Sequence, residues 1–175
     1  MAGGKIEYTS QSFEILKEEI KARALEKAVN DKVVAEESDA VVRDLLPTDL
    51  GATEDKFEQA LTTAGANNTV YEVNLDEKKI VVVYGAIVPT GTQGTTLKFN
   101  LGNAKVIDVI QLEKAKHMQD PILLFDTPII YGKSATVKIE EFVPTGTSVP
   151  TSDNIVLLGV VVEPQGKTIS PDVVE

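Results

Sequence analysis

The sequence predicts a mainly β protein, an antiparallel β-sandwich preceded by an N-terminal helical arm. Three observations carry that reading. From about Val70 onward the chain breaks into short runs rich in Val, Ile, Thr and aromatic residues, each closed by Gly, Pro, Asn or Asp. Those turn signals return at intervals of roughly eight to twelve residues, the spacing of a sandwich or barrel rather than of βαβ units. Before Val70 the chain is charged, and its apolar residues recur at spacings of three and four, the period of a helix.

The arm, residues 1–69, opens with a helix that Ser10 or Ser12 can cap. It runs through Phe13, Ile15, Leu16, Ile20, Ala24, Leu25, Ala28 and Val29 and closes at Asn30-Asp31. Glu14, Glu18 and Glu19 crowd its early turns, near the positive end of the helix dipole. Lys17, Lys21, Arg23 and Lys27 fill the rest of the circumference, leaving a narrow apolar stripe that needs a surface to cover it. Phe13, Leu16 and Ile20 on that stripe are the candidate interaction residues. Their partner is either the chain's own sandwich or another subunit. Arg43 to Gly51, interrupted by Pro47, reads as an extended linker. Thr53 then caps a short helix through Glu54, Phe57, Ala60 and Leu61, ended by Gly65-Ala66-Asn67-Asn68.

The sandwich, residues 70–175 with a short C-terminal tail, contains eight expected strands. They are Val70–Leu75, Lys79–Val88, Thr95–Leu101, Lys105–Leu112, Ile122–Phe125, Pro128–Tyr131, Thr136–Val143 and Asn154–Val162. Some alternate, as in Leu97, Phe99, Leu101. Others, such as Ile80-Val81-Val82-Val83 and Ile155-Val156-Leu157-Leu158, are apolar throughout, as strands buried on both faces are. Gly85 and Gly159 inside strand patterns predict bulges or bends. Val88-Pro89-Thr90-Gly91-Thr92 recurs as Val143-Pro144-Thr145-Gly146-Thr147. Each copy ends an apolar strand, with the proline expected at the first corner of a type I turn. The repeat is shared turn chemistry, not a duplicated domain.

Composition narrows the function. The net charge is −10, from 27 acidic and 17 basic residues, and no Lys/Arg cluster interleaves with aromatics, so no nucleic-acid partner is expected. There is no cysteine, which rules out disulfides, thiolate nucleophiles and Cys-ligated metal. No apolar run approaches the roughly eighteen residues that span a bilayer, and the first residues lack the apolar region of a signal peptide. His117 is the single histidine and reads as a surface residue. Carboxylates are scattered, and neither a calcium loop, a phosphate loop nor a nucleophile elbow is present. No catalytic residue, cofactor or essential metal is expected. If a hard cation were bound, the place for it would be a loop near Asp120, Asp126 or Asp153. A glycan platform is missing, since there is no tryptophan and Tyr84 and Tyr131 fall inside strands.

The runs Ile80-Val-Val-Val-Tyr-Gly-Ala-Ile-Val-Pro, Leu97-Lys-Phe-Asn-Leu-Gly, Phe125-Asp-Thr-Pro-Ile-Ile-Tyr-Gly and Ile155-Val-Leu-Leu-Gly-Val-Val-Val-Glu-Pro resemble the jelly-roll β-sandwich structural proteins of viral and bacteriophage particles. These include capsid, auxiliary and decoration proteins. The likeness covers residues 70–166 in style and contains no diagnostic motif. It implies a homo-oligomer, often a trimer, in which an N-terminal arm grips neighbours or other capsid proteins, and it implies location in the virion. No functional residue carries over singly. The alternative is a receptor- or glycan-binding module that uses its Thr-rich loops.

Overall fold

The computed structural model describes residues 10–166. In chain order the elements are α1 (Ser10–Asn30), β1 (Ala40–Asp44), β2 (Gln59–Leu61), β3 (Ala66–Asn74), β4 (Ile80–Ile87), β5 (Thr96–Leu101), β6 (Lys105–Gln111), α2 (Glu113–Lys116), β7 (Ile122–Tyr131), β8 (Thr136–Val143), β9 (Thr151–Asp153) and β10 (Val156–Pro164). Single 3-10 turns lie at Glu37–Asp39 and Pro47–Leu50.

Eight strands form two four-stranded sheets, ordered β1-β10-β4-β7 and β3-β8-β5-β6, with every pairing antiparallel. The chain thus folds as a long ribbon in which β1 pairs with β10, β3 with β8, β4 with β7 and β5 with β6. Rolling that ribbon so that β10 lies beside β4 and β8 beside β5 gives the connectivity of a jelly roll. β2 and β9 make a separate two-stranded ribbon at one end.

Two apolar layers hold this together. Between the sheets lie Val81, Val83, Leu97, Phe99, Phe125, Ile129, Val137, Ile139, Leu157 and Val161, with Phe99 and Phe125 edge to face at 5.6 Å. On the outer face of the β1-β10-β4-β7 sheet, Ile20, Ala24 and Ala28 of α1 pack on Ile80, Val82, Tyr84, Val160 and Val162. That sheet is covered on both faces, which is why β4 and β10 read as unbroken apolar runs. The other sheet turns its outer face to water and alternates, with Lys98, Lys138 and Glu140 outward. Small residues at Ala24 and Ala28 let the helix approach the sheet closely; both are essentially inaccessible. The helix ends at Asn30, as expected, where Val33 donates its amide to the Ala28 carbonyl and Lys32 takes a φ of 56°.

Several local expectations change. Residues 43–51 are not a linker. Arg43 lies in β1, which pairs along β10, and Pro47–Leu50 forms the 3-10 turn. The helix expected over 53–61 is absent, and Gln59–Leu61 is strand β2. Its Gln59 side chain is buried and bonded on both sides to the Ile155 backbone, an anchor that helix geometry would lose. Ile122–Phe125 and Pro128–Tyr131 merge into β7, whose register against β4 jumps between Val83 and Gly85, passing over residues 125–128. Pro128 lies in that unpaired stretch, so its missing N–H breaks no ladder bond. The irregularities expected at Gly85 and Gly159 are one and the same: the β10–β4 register shifts once, from Leu158 opposite Gly85 to Gly159 opposite Val83, leaving Tyr84 as the extra residue. A boundary at residue 69 runs through β3, and β1 on its N-terminal side completes a sheet.

Candidate functional site: an open flank and a buried carboxyl pair

The two flanks of the sandwich are finished differently. On one, the segment between β1 and β3 folds down over the edge of β3. Gly51, in the left-handed region at φ +90°, sits so close that a Cβ would come within 2.5 Å of the Glu72 carbonyl oxygen. Beside it Arg43 makes a bidentate pair with Asp49 (2.7 and 2.8 Å) and a 3.0 Å bond to Glu163, while Lys79 reaches Asp49 at 3.0 Å. The Leu46 amide also donates to Asp49. Burial by itself would raise the Asp49 carboxyl, but the bonds from Arg43, Leu46 and Lys79 carry it below its ordinary value. This flank is closed and its charges are matched.

On the other flank β6 and β7 are the free edges of the two sheets, and no described strand pairs with their outer sides. Val106 and Val109 of β6 and Ile122 and Ile130 of β7 are exposed there, as is Leu101. Where the edges diverge, a cleft of about 760 Å³ opens between Leu101, Ile107 and Ile130, with Lys27, Lys105 and Lys133 among its lining residues. Unpaired, apolar, adjacent edges are templates for strand pairing or docking.

The end of the sandwich bearing the β2–β9 ribbon holds the second unusual group. Register brings the two Pro-Thr-Gly-Thr turns to this same end, because Thr95, after the first turn, donates to Phe142, just before the second. Each closes with the second threonine amide donating to the proline carbonyl, so proline occupies the position before the two corners rather than the first corner. Gly146 has φ +93°. Beneath them Glu141 is fully buried in the inward row of β8, between Ile139 and Val143, and neither of its carboxyl oxygens meets a hydrogen-bond donor among the described residues. Burial first, and then Asp153 beside it, push its carboxyl up to about 9. Asp153, also buried, accepts 2.9 Å bonds from the amides of Gln93 and Gly94.

The sequence-predicted residues fall in separate places. Ile20 is buried on the chain's own sheet, and Phe13 and Leu16 are half-buried beside it, Phe13 with its ring 6.3 Å from that of Tyr84. His117 is exposed at the end of α2, and Asp120 and Asp126 are exposed, apart from buried Asp153. Among the described residues no group of three or more His, Asp or Glu side chains could hold a metal ion. Tyr84 and Tyr131 are buried, as expected for strand residues. Sequence reasoning missed Glu141. The signal was available: with Val137 and Ile139 inward, period two places Glu141 in the core.

No protein-family model matches the chain, and no curated protein matches it in sequence. Solved structures share its outline distantly. The Bacillus endospore appendage pilus, described as a novel family of disulfide-linked pili, is 13% identical with a TM-score of 0.32, covering 71% of this chain and 87% of that one. The VP2 subviral particle of infectious bursal disease virus is 13% identical at a TM-score of 0.33, and the Gt strain of that virus is 15% identical at 0.34. This chain spans about a third of those viral chains, 32% and 33% of their lengths. At these scores the likeness carries no argument about function.

Proposed function

We propose that the protein is a structural subunit of a virion, of capsid, auxiliary or decoration type, and acts through assembly contacts rather than catalysis. The observation that carries this is the open flank, two free sheet edges side by side with apolar residues along both. A jelly roll that closes one flank with its own chain and leaves the other bare is built to be completed by a neighbour. The partner is a second copy, with other virion proteins next in line.

The test is the oligomeric state of the full chain by light scattering or native mass spectrometry. The expected result is a defined oligomer that the double substitution Val106→Lys and Val109→Lys converts to monomer without changing the circular dichroism. A wild-type chain that stays monomeric at high concentration, or an oligomer indifferent to those lysines, sinks this reading.

The second reading, a receptor- or glycan-binding module, draws on the two Pro-Thr-Gly-Thr turns at one end. Thr90 and Thr145 are exposed there, but the turns offer no Trp, Tyr or Arg of the kind that dominates contact energies.

A further inference from the structure

The buried carboxyl pair has no part in the assembly reading, yet its surroundings are specific. Glu141 is flanked by Asn68 of β3 and Leu97 of β5. Gly94 lies directly over its carboxyl, so close that a Cβ at this position would collide with it. Asn68 spends its amide on the backbone of Thr62, Thr63 and Ala66 and offers nothing to Glu141. Tyr71 of β3 is the other buried titratable group nearby, and its hydroxyl accepts from Gln59 of β2. From α2, Lys116 draws the Glu141 carboxyl the opposite way, but its ammonium is bonded to Glu113 at 2.8 Å. Glu58, next to Gln59, is the remaining charge on that ribbon and pairs with Lys56. No cation meets the two carboxyls directly.

A carboxyl buried without a donor or a facing cation, with a second buried carboxylate beside it, keeps its proton at ordinary pH, and Glu141 is that carboxyl. Asp153 already accepts amide bonds, so a proton on Glu141 supplies the one donor the site lacks.

We propose that Glu141 and Asp153 form a proton-dependent latch: the proton on Glu141 keeps the 88–95 loop and strand β9 fastened over the end of the sandwich, and its loss frees the end that carries both Pro-Thr-Gly-Thr turns. Asp153 is the mechanical link. It holds the loop by the Gln93 and Gly94 amides and lies in β9 opposite Gln59, while Gly94 in turn sits against the Glu141 carboxyl. When Glu141 ionises beside Asp153, repulsion and water entry part β9 and the loop from β8, while the sheets beneath are untouched.

Amide hydrogen exchange on the full chain, read as protection factors from about pH 6 to about pH 9.5, tests the latch. The expected result is a loss of protection of about tenfold or more at Gln93 and Gly94, with Val82 and Val161 unchanged, and no such loss in Glu141→Gln. Constant protection in the wild type overturns the proposal, as does an equal loss in Glu141→Gln. Should that variant fail to fold, infrared spectroscopy of the wild type decides. A protonated-carboxyl band present at pH 7 and lost on titration in step with the exchange supports the latch, and its absence at pH 7 overturns it.

Discussion

The molecule buries charge twice, by opposite means. Around Arg43, opposite signs meet: Asp49 and Glu163 are nearly inaccessible, and every Asp49 oxygen has a donor. Around Glu141, like signs meet, and neutrality depends on a proton. Burial acts the same way on both, raising each carboxyl. What differs is whether the chain supplies a cation, and that difference sets how each site answers to pH.

The signs follow. The Asp49 carboxyl is depressed in the folded state, so its contribution is present above the unfolded value and is lost as pH falls through the folded one. The Glu141 carboxyl is raised to about 9 from an ordinary 4.5, so its contribution is complete below about 4.5 and is lost as pH rises toward about 9. One cluster weakens as pH falls, and the other weakens as pH rises from about 4.5 to about 9.

Removing the cation is the harshest way to break the contrast. Arg43→Ala leaves Asp49 and Glu163 facing each other with Lys79 alone, and is expected to cost about 3–5 kcal/mol in urea unfolding at pH 7. A loss below about 1 kcal/mol would mean that water screens the cluster and that it is not truly buried.

Neutralising the other site should do the reverse. Glu141→Gln keeps the shape and supplies an amide donor to Asp153, so stability at neutral pH should rise by an amount on the order of 3 kcal/mol relative to the wild-type trend. Thermal melts across pH should show the decline between about 4.5 and about 9 flattened and the loss on acidification unchanged. If both limbs persist, the raised carboxyl is not the cause of the decline.

A neutral cluster sharpens the comparison with the smallest expected effect. Gln59 donates to the Tyr71 hydroxyl and the Ile155 carbonyl and accepts from the Ile155 amide, all at 2.8–2.9 Å. Gln59→Leu should cost about 1–3 kcal/mol, by the same amount at pH 5 and pH 8. A pH-dependent cost would tie Gln59 to the carboxyl pair instead.

Reading these sites from sequence succeeds where periodicity is local and fails where partners are remote. Residues Val81, Val83, Val137 and Ile139 announce their strands, and Gly85 and Gly159 announce their shared register shift, since pattern and backbone need are both nearby. Arg43 looked like part of a linker because its acids lie at Asp49 and Glu163, one of them far along the chain. Gln59 looked helical because the Ile155 backbone that fixes it as strand is remote. Phe13, Leu16 and Ile20 left two partners open in the sequence, and in the structure they lie against the chain's own sheet. The open flank was the least legible, because an exposed edge such as β6 has the same composition as a covered one.

The pairing of β1 with β10 has a consequence in time. Ala40 lies opposite Pro164, and β10 is inserted between β1 and β4 in the finished sheet. During synthesis, α1, β1 and β4 therefore emerge long before the strand that joins them, leaving Ile80, Val82 and the apolar stripe of α1 without their full cover. Contacts so distant in sequence make for slow folding and for a nascent chain that is sticky until its last strand arrives.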